Sequence, residues 1–200
     1  SKAFFEPFKG KLPLMSKESF ADRELELLKR LSEGNEDAFR QLYDTTHKKI
    51  YFYLYRLLKH RETAEDIMVE TYTEVWRGAK NFRGNSRVTT WIMSIARNLA
   101  MNHFKKVKPH DNIDDFPNLS NNIMPDAEPL NRQRLLTDAM SRLSTKHREI
   151  LDMVFFNEMT YQEVSEVLDI PVSTVKTRVF YAKDGLRDVM GNMGVSRDDI

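Results

Sequence analysis

Apolar side chains recur at helical spacing through most of this 200-residue chain, and this periodicity constrains the fold more than any other feature. They return every three or four residues, as on the buried face of a helix. Helix breakers are few, with seven glycines and seven prolines. Leu, Glu, Arg, Lys and Met, which favour helices, are plentiful. The pattern predicts an all-α protein of two small helical domains joined by an extended linker.

Local signals divide the first half into helices. A helix is predicted from Asp22, with Leu25 on its apolar face, and Gly34 and the residue after it interrupt the pattern. Thr63 is predicted to cap a later helix that ends near Trp76 and presents a broad apolar face including Val69. Phosphorylation of Thr63 is an open alternative, because it would add negative charge beside acidic neighbours.

Charge is distributed unevenly along the chain. Residues 1–108 hold 21 basic and 14 acidic side chains, residues 109–130 hold five acidic ones and no Lys or Arg, and residues 131–200 hold 10 basic and 11 acidic ones. Such shifts mark boundaries between modules. We predict an arm over 1–21, a domain over 22–107, an acidic Pro- and Asn-rich linker over 108–130, a domain over 131–190 and a tail over 191–200.

Several classes of function are disfavoured by composition. The chain has no Cys, which removes disulfides, thiolate zinc sites and Cys nucleophiles. Its longest apolar run is far shorter than a membrane span, so no membrane insertion is expected. The five His are scattered and no phosphate-binding Gly loop appears, so no metal or other cofactor is expected. A cytoplasmic location fits these features.

The C-terminal module contains a helix-turn-helix pattern, in TYQEVSEVLDIPVSTVKTRVFYAK. Thr160 and Glu163 have the spacing of a capping box, and Asp169 falls in the turn, where a left-handed residue is needed. The second helix would present polar and basic side chains to a DNA groove: Ser173, Thr174, Lys176, Thr177, Arg178, Tyr181 and Lys183. The alternative is an ordinary helical hairpin with a solvated polar face.

A basic segment lies in the first module. Residues 75–110 carry eight Lys or Arg and no acidic residue, interleaved with aromatic, Asn, Ser and Thr side chains. Positive charge attracts phosphates, while rings and amides stack on or bond to unpaired bases. The predicted nucleic-acid contacts are Arg83, Asn85, Ser86, Arg87, Trp91, Arg97, Asn98, Asn102, Lys105 and Lys106. The alternative is a solvated basic surface with a buried Trp91.

Carboxylates form a third pattern, in which Asp66, Glu70 and Glu74 recur every four residues and would share one helix face. Paired carboxylates serve acid–base chemistry or metal binding, but no nearby His or nucleophile supports either role here. A solvated stripe and a surface that docks a protein partner are the two stronger interpretations.

The order of these motifs resembles bacterial sigma factors of the sigma-70 family, extracytoplasmic-function type. AEDIMVETYTEVW and FRGNSRVTTWIMSIARNLAMNHFKK resemble parts of region 2, and DAMSRLSTKHREILDMVFFNEMTYQEVSEVLDIPVSTVKTRVFYAKDGLRD resembles region 4. The resemblance covers about residues 22–107 and 131–188. Two departures concern packing and turn geometry: Asp169 stands where the family often has Gly, and Ser165 where it often has Ala.

The resemblance implies a non-catalytic subunit that binds core RNA polymerase and directs promoter-specific initiation. The carboxylates Glu65, Asp66, Glu70 and Glu74 would dock on the polymerase clamp helices. Asn85 and Ser86 would cradle a flipped base of the melted −10 element, and the second helix of region 4 would read the −35 duplex. An anti-sigma factor is a further expected partner.

Two rival functions remain open from the residues alone. A helix-turn-helix regulator that acts without polymerase docking would tolerate charge reversal at Asp66 and Glu70. An enzyme acting on single-stranded nucleic acid would need carboxylates or histidines at the basic loop, where residues 75–109 supply only His103.

Overall fold

The computed structural model describes residues 17–107 and 131–194, and both stretches are helical, with turns and short loops but no strand. They fall in two compact units, one built on the helices before residue 108 and the other on most of the helical residues after residue 130. The all-α, two-domain prediction is confirmed. The predicted linker, and most of the predicted arm and tail, lie outside the described residues.

Helix α1, Lys17–Ser32, begins before the predicted start at Asp22. Its buried face is formed by Glu24, Leu27, Leu28 and Leu31, at i, i+3, i+4 and i+7 spacing. Leu25 was predicted to face the core but is 49% exposed, because it is one residue out of phase with that stripe. A charged residue therefore occupies a position of the core stripe.

Helix α2, Glu36–Leu58, is a single long helix. The Asn35 side chain caps it by accepting a hydrogen bond from the Ala38 amide at 2.8 Å. The helix ends where Lys59 adopts a left-handed conformation, with its amide bonded to the Tyr55 carbonyl at 2.8 Å.

Helix α3, Arg61–Gly78, corrects the predicted cap at Thr63. The capping residue is His60, whose side chain accepts a hydrogen bond from the Thr63 amide at 3.3 Å. Thr63 is therefore the third residue of the helix, and its hydroxyl bonds the same imidazole nitrogen at 2.9 Å. The inclusion of Val69 in the apolar face was also wrong, since that side chain is 65% exposed.

The first unit is completed by a short 3-10 turn, Ala79–Asn81, and by α4, Val88–Val107. Its core includes Leu42, Leu54 and Ile92, each fully buried. A buried hydrogen bond of 2.7 Å joins the hydroxyls of Thr46 and Tyr72 and so links α2 to α3. Burial raises the pKa of the Tyr72 phenol, which keeps it neutral. These contacts hold α4 against three other helices.

The second unit contains four helices: α5, Asn131–Ser141; α6, Thr145–Leu151; α7, Tyr161–Leu168; and α8, Val172–Asn192. A wide helical turn, Asp152–Phe156, extends α6. The buried Asn157 side chain closes this turn by donating to the Asp152 carboxylate at 3.1 Å. The Ser144 side chain caps α6 by accepting a hydrogen bond from the His147 amide at 3.3 Å.

The helix-turn-helix geometry matches its prediction. Thr160 and Glu163 make both hydrogen bonds of a capping box at the start of α7. Asp169 adopts φ 53° and ψ 50°, the left-handed conformation required by the turn. Buried Val175 and Val179 anchor α8 to the core. The two helices are therefore held rigidly, which fixes the direction of the exposed face of α8.

Candidate nucleic-acid and polymerase interfaces

A line of side chains runs along the exposed face of α4. Trp91, Asn98, Asn102 and Lys105 are three, four or seven residues apart, so they project from the same side of the helix. Asn98, Asn102 and Lys105 are exposed, whereas Trp91 is half-buried. The line therefore begins with an indole ring, continues with two amides and ends with a cation, a sequence of groups suited to a strand of unpaired nucleotides.

A groove of about 350 Å³ lies beside the first part of this line. It is lined by Glu74, Gly78, Asn81, Trp91, Ile95, Asn98 and Leu99, which come from α3, the short 3-10 turn and α4. The Trp91 ring rests near Gly78, where a Cβ atom would come within 3.3 Å of it. The Phe82 ring also contacts the indole, with ring centroids 5.3 Å apart. Trp91 is thus one wall of an open groove and is not fully buried.

The loop over residues 82–87 precedes α4 and carries four of the predicted contacts. Arg83 and Asn85 are exposed, while Ser86 and Arg87 are half-buried. Gly84 has φ +72°, a conformation that side chains with a Cβ rarely adopt, and this residue gives the loop its tight bend. Of the remaining predicted residues on α4, Arg97 lies beside the line, whereas Lys106 follows Asn102 by four residues and is exposed at the end of the same face.

Glu24 is the residue near this site that sequence reasoning missed. Its side chain is buried, and it accepts hydrogen bonds from the Thr89 hydroxyl at 2.5 Å and from the Thr89 amide at 3.4 Å. Burial raises its pKa above the ordinary 4.5, and the Thr89 bonds and the charges of Lys49 and Arg87 partly oppose that rise. Its place in the α1 core stripe was the sequence signal that could have identified it.

The exposed face of α8 brings together most of the predicted duplex contacts. Ser173 and Thr177 lie on one line, four residues apart, with Thr174 and Tyr181 next to it. Lys176 is exposed on one flank of that line, and the half-buried Arg178 lies on the other. Short polar side chains therefore occupy the start of the helix, with cations beside them, as in helices that enter a major groove.

Two further residues of α8 have notable surroundings. Lys183, predicted to contact DNA, has its ammonium group over the Phe155 ring, 5.0 Å from the centroid. Phe180 was not predicted, yet it is 66% exposed and continues the line of Ser173 and Thr177. Sequence reasoning passed over it because an apolar residue at helical spacing normally indicates core.

The carboxylate stripe of α3 is solvent-facing. Glu65 pairs with Arg61 at 2.9 Å and Glu74 with Arg77 at 3.1 Å, both at the surface. Asp66 and Glu70 are exposed and form no ion pair with any residue in the parts of the chain that the structure describes. Glu74 also lines the groove beside Trp91, so its surroundings differ from those of the other carboxylates.

A second open groove, of about 450 Å³, lies between α2 and α3. It is lined by Glu36, Phe39, Arg40, Tyr43 and Trp76. Phe39 and Trp76 make an edge-to-face contact with centroids 5.3 Å apart, and Trp76 remains 41% exposed. Aromatic side chains exposed next to a carboxylate stripe are typical of surfaces that bind protein partners.

Residues 17–107 and 131–194 contain neither a membrane-spanning helix nor a cluster of metal ligands. No helix there is both long and apolar enough to cross a bilayer. In the same residues, no three His, Asp or Glu side chains come together as ligands for a metal ion.

Comparison with known proteins decides the family. Residues 42–109 match the family model for sigma-70 region 2, and residues 133–184 match that for sigma-70 region 4. Together the two matches cover more than half of the chain, in the order that sigma factors have. The chain belongs to the sigma-70 family, as a sigma factor of the extracytoplasmic-function type. Such factors direct promoter-specific initiation by RNA polymerase.

Relatives of this sigma factor match over most of their length. It is 28% identical to the ECF RNA polymerase sigma factor SigW of Bacillus subtilis, over 80% of this chain and 92% of SigW. It is also 28% identical to the RNA polymerase sigma factor YlaC of the same organism, over 82% of this chain and 96% of YlaC. Both regions of this sigma factor therefore have counterparts in its relatives.

Solved structures have the same fold at lower identity. The sigma factor RpoE of Bartonella quintana, solved with the anti-sigma factor NepR, superposes with a TM-score of 0.65 at 20% identity, covering 76% of this chain and 96% of RpoE. CnrH, solved with the cytosolic domain of CnrY, gives 0.65 at 17% identity, covering 86% and 99%. These similarities support the helical fold assigned here.

Proposed function

We propose that this sigma factor uses three separate surfaces in initiation: α3 docks on core RNA polymerase, the 82–87 loop with α4 captures melted −10 bases, and α8 reads the −35 duplex. The observation that carries the proposal is the line on α4, in which an indole, two amides and a cation follow one another beside an open groove. That combination suits a single strand better than a duplex.

Capture of the −10 element requires a base to leave the helical stack. Extrusion costs a few kcal/mol, which contacts in a pocket and stacking on a ring must offset. Trp91 supplies a ring face, the exposed Asn85 and Asn98 supply amides that bond to base edges, and Lys105 supplies a charge for phosphate. The groove beside Trp91, at about 350 Å³, has room for a nucleobase.

Reading of the −35 element rests on α8. Ser173, Thr174 and Thr177 are short enough to approach base edges, and the exposed Lys176 lies where it would meet a phosphate. Phe180 extends this line and offers an apolar surface for a thymine methyl group. Because Lys183 is engaged by Phe155, we expect it to contribute less than the other cations.

Docking rests on the α3 stripe. Asp66 and Glu70 are exposed, so they can pair with basic groups of the polymerase without first breaking an internal ion pair within the described residues. Charge complementarity of this kind accelerates encounter and sets register. Glu65 would exchange its surface pair with Arg61 for a partner on the polymerase, at small cost because exposed ion pairs contribute little.

The chain itself would perform no chemistry, since its role is to place the polymerase, and it would act in the cytoplasm, where the polymerase and the promoter are. An anti-sigma factor that covers the docking and DNA-reading surfaces fits the same faces. The aromatic groove that includes Phe39 and Trp76 adjoins α3 and adds apolar area for such a partner.

The first test is run-off transcription with bacterial core polymerase, the purified chain and fragmented genomic DNA from its source, followed by sequencing of RNA 5′ ends. The expected result is a set of starts that depend on the chain and share two upstream elements. A chain that binds duplex DNA specifically yet neither binds core nor supports such starts would be a stand-alone regulator. Modification of single-stranded oligonucleotides by the purified chain would instead indicate an enzyme.

Charge reversal separates docking from DNA reading. The double variant Asp66→Lys with Glu70→Lys should lose core binding, because two exposed carboxylates become cations. The matched control is Asp22→Lys with Glu26→Lys, which reverses two exposed carboxylates at the same four-residue spacing on α1. Core binding, measured by co-elution with the polymerase, should survive in the control. Equal loss in both variants would mean that only total charge matters.

A further inference from the structure

At the start of helix α4, a side chain from another helix accepts a backbone hydrogen bond. The amide of Thr89 belongs to the first turn of α4, where backbone donors have no partner within the helix. The carboxylate of Glu24, 65 residues earlier in the chain, accepts that amide at 3.4 Å and the Thr89 hydroxyl at 2.5 Å. The hydroxyl distance is that of a charge-assisted bond.

The position of Glu24 connects it to the −10 loop. Arg87 ends the loop, its carbonyl accepts the Trp91 amide at 3.0 Å, and its charge acts on the Glu24 carboxylate. The charge of Lys49 on α2 also lowers the pKa of that carboxyl, and the charge of Glu24 raises the pKa of the Tyr72 phenol on α3. The hydrogen bonds of Glu24 go to α4, at the point where the loop joins it.

We propose that Glu24 is a positioning residue for promoter melting: it fixes the first turn of α4, and with it the 82–87 loop and the Trp91 ring, in the arrangement that captures −10 bases. Glu24 lies outside residues 42–109, which match the region 2 family model. The inference rests on the proposed −10 role of the loop, but the ordering of the loop by Glu24 can be measured without DNA.

A buried carboxylate is a poor choice if stability alone is needed. Taking a charge out of water is costly, and a neutral side chain of the same shape often serves as well. A capping carboxylate, in contrast, fixes the direction of the helix start through its bonds and its attraction to the helix dipole. Positioning and stability can therefore be separated, because loss of the charge should loosen the loop without lowering the global stability.

The experiment uses the full chain with Glu24→Gln, which keeps the side-chain shape, and Thr89→Val, which removes only the hydroxyl. Hydrogen exchange followed by mass spectrometry would report on the peptides covering residues 82–92. Exchange there should become about fivefold faster in both variants, the usual effect of losing one cap, while the core of α2 is unchanged. The thermal midpoint should stay equal or rise for Glu24→Gln.

Controls of matched chemistry come from the same unit. Glu26→Gln alters an exposed carboxylate on the same helix, and Thr73→Val removes an exposed hydroxyl that bonds the Val69 carbonyl of its own helix at 2.9 Å. Neither should change exchange in residues 82–92. If Glu24→Gln and Thr89→Val also leave that exchange unchanged, Glu24 does not order the loop and the inference is wrong.

A second readout concerns transcription on promoters identified by run-off sequencing. Glu24→Gln and Thr89→Val should reduce initiation about fivefold on duplex promoters, with core binding unchanged. Unchanged initiation alongside a loosened loop would overturn the role in melting. If the unaltered chain supports no initiation, the proposed function fails, whereas the exchange measurement still decides whether Glu24 orders the loop.

Discussion

Glu24 contrasts with the other carboxylates of its domain, because it is buried among apolar residues while Asp66 and Glu70 lie in solvent. The 24, 27, 28 and 31 positions form a regular core stripe on α1, and three of them are Leu. Glu24 instead bonds to the start of α4. At this position a directional hydrogen bond takes the place of an apolar packing contact.

The pH dependence of folding should reveal this charge. Burial raises the pKa of Glu24 above its ordinary 4.5, so its stabilising contribution is complete below pH 4.5 and is lost as pH rises through the raised value. Gln does not ionise. The unfolding free energy of Glu24→Gln, relative to the unaltered chain, should therefore increase from about pH 4 to about pH 7 in urea titrations. A difference that is constant with pH would contradict this, and Glu26→Gln should give none.

The Trp91 ring gives a second prediction for single residues. In Gly78→Ala, the new Cβ would lie 3.3 Å from the ring, which must move by a few tenths of an ångström. Trp76→Phe leaves Trp91 as the one tryptophan, since the chain has two. In that background, Gly78→Ala should shift the emission of Trp91. Gly191→Ala, where nothing lies within 4 Å, is the control and should leave emission unchanged.

For single residues, predictions from the sequence were right in some cases and wrong in others. Asp169 was correctly predicted in the left-handed turn, because turn chemistry is local. Thr63 was wrongly predicted as a cap, because the helix begins earlier: the His60 imidazole accepts the Thr63 amide, which places Thr63 inside the first turn. Glu24 was missed, because its partner lies 65 residues away and no local pattern reports a bond over that distance.

Among the helices, α7 depends for its stability on the bonds at its N-terminus. It has eight residues, too few to be stable alone, so the Thr160 capping box and packing must hold it. Its register sets the turn at Asp169 and thereby the direction of α8. The capping box was predictable because both of its residues lie within four positions, whereas the wide turn over Asp152–Phe156 depends on the buried Asn157 and was not.

Removal of the cap should therefore loosen α7. Thr160→Ala loses the hydroxyl that accepts the Glu163 amide at 3.2 Å, at a cost of about 1 kcal/mol. Amide exchange in α7 should become roughly fivefold faster. Thr160→Ser keeps the hydroxyl and should restore slow exchange. Equal exchange in the Ala and Ser variants would show that packing alone holds the helix.

For the molecule as a whole, the fold class and the presence of two units were predictable because apolar periodicity and charge both change along the chain. The surfaces that we propose to read DNA belong to different units, and residues 108–130 connect these units covalently. A covalent connection makes the second binding step intramolecular, with an effective concentration on the order of millimolar when the connecting segment is short and flexible. Affinity of each unit alone can then be low.

Separating the two units tests whether their covalent connection is needed. Fragments 1–107 and 131–200, mixed at about micromolar concentration, should support little transcription compared with the intact chain, because the tether is lost. Replacement of residues 108–130 by a Gly/Ser segment of equal length should retain most of the activity if the connection alone matters. Full activity of the mixed fragments would show that the units need no tether, and failure of the Gly/Ser chain would assign a specific role to the native segment.

The cap between α1 and α4 also bears on protein engineering. Hybrid sigma factors, made by exchanging segments between relatives to redirect them to new promoters, are naturally joined where the family match begins, near residue 42. Such a junction takes α4 from one parent and α1 from the other, so Glu24 and Thr89 would come from different proteins. A junction before residue 17 keeps the pair together, and hybrids built that way should melt promoters more reliably than those joined at residue 42.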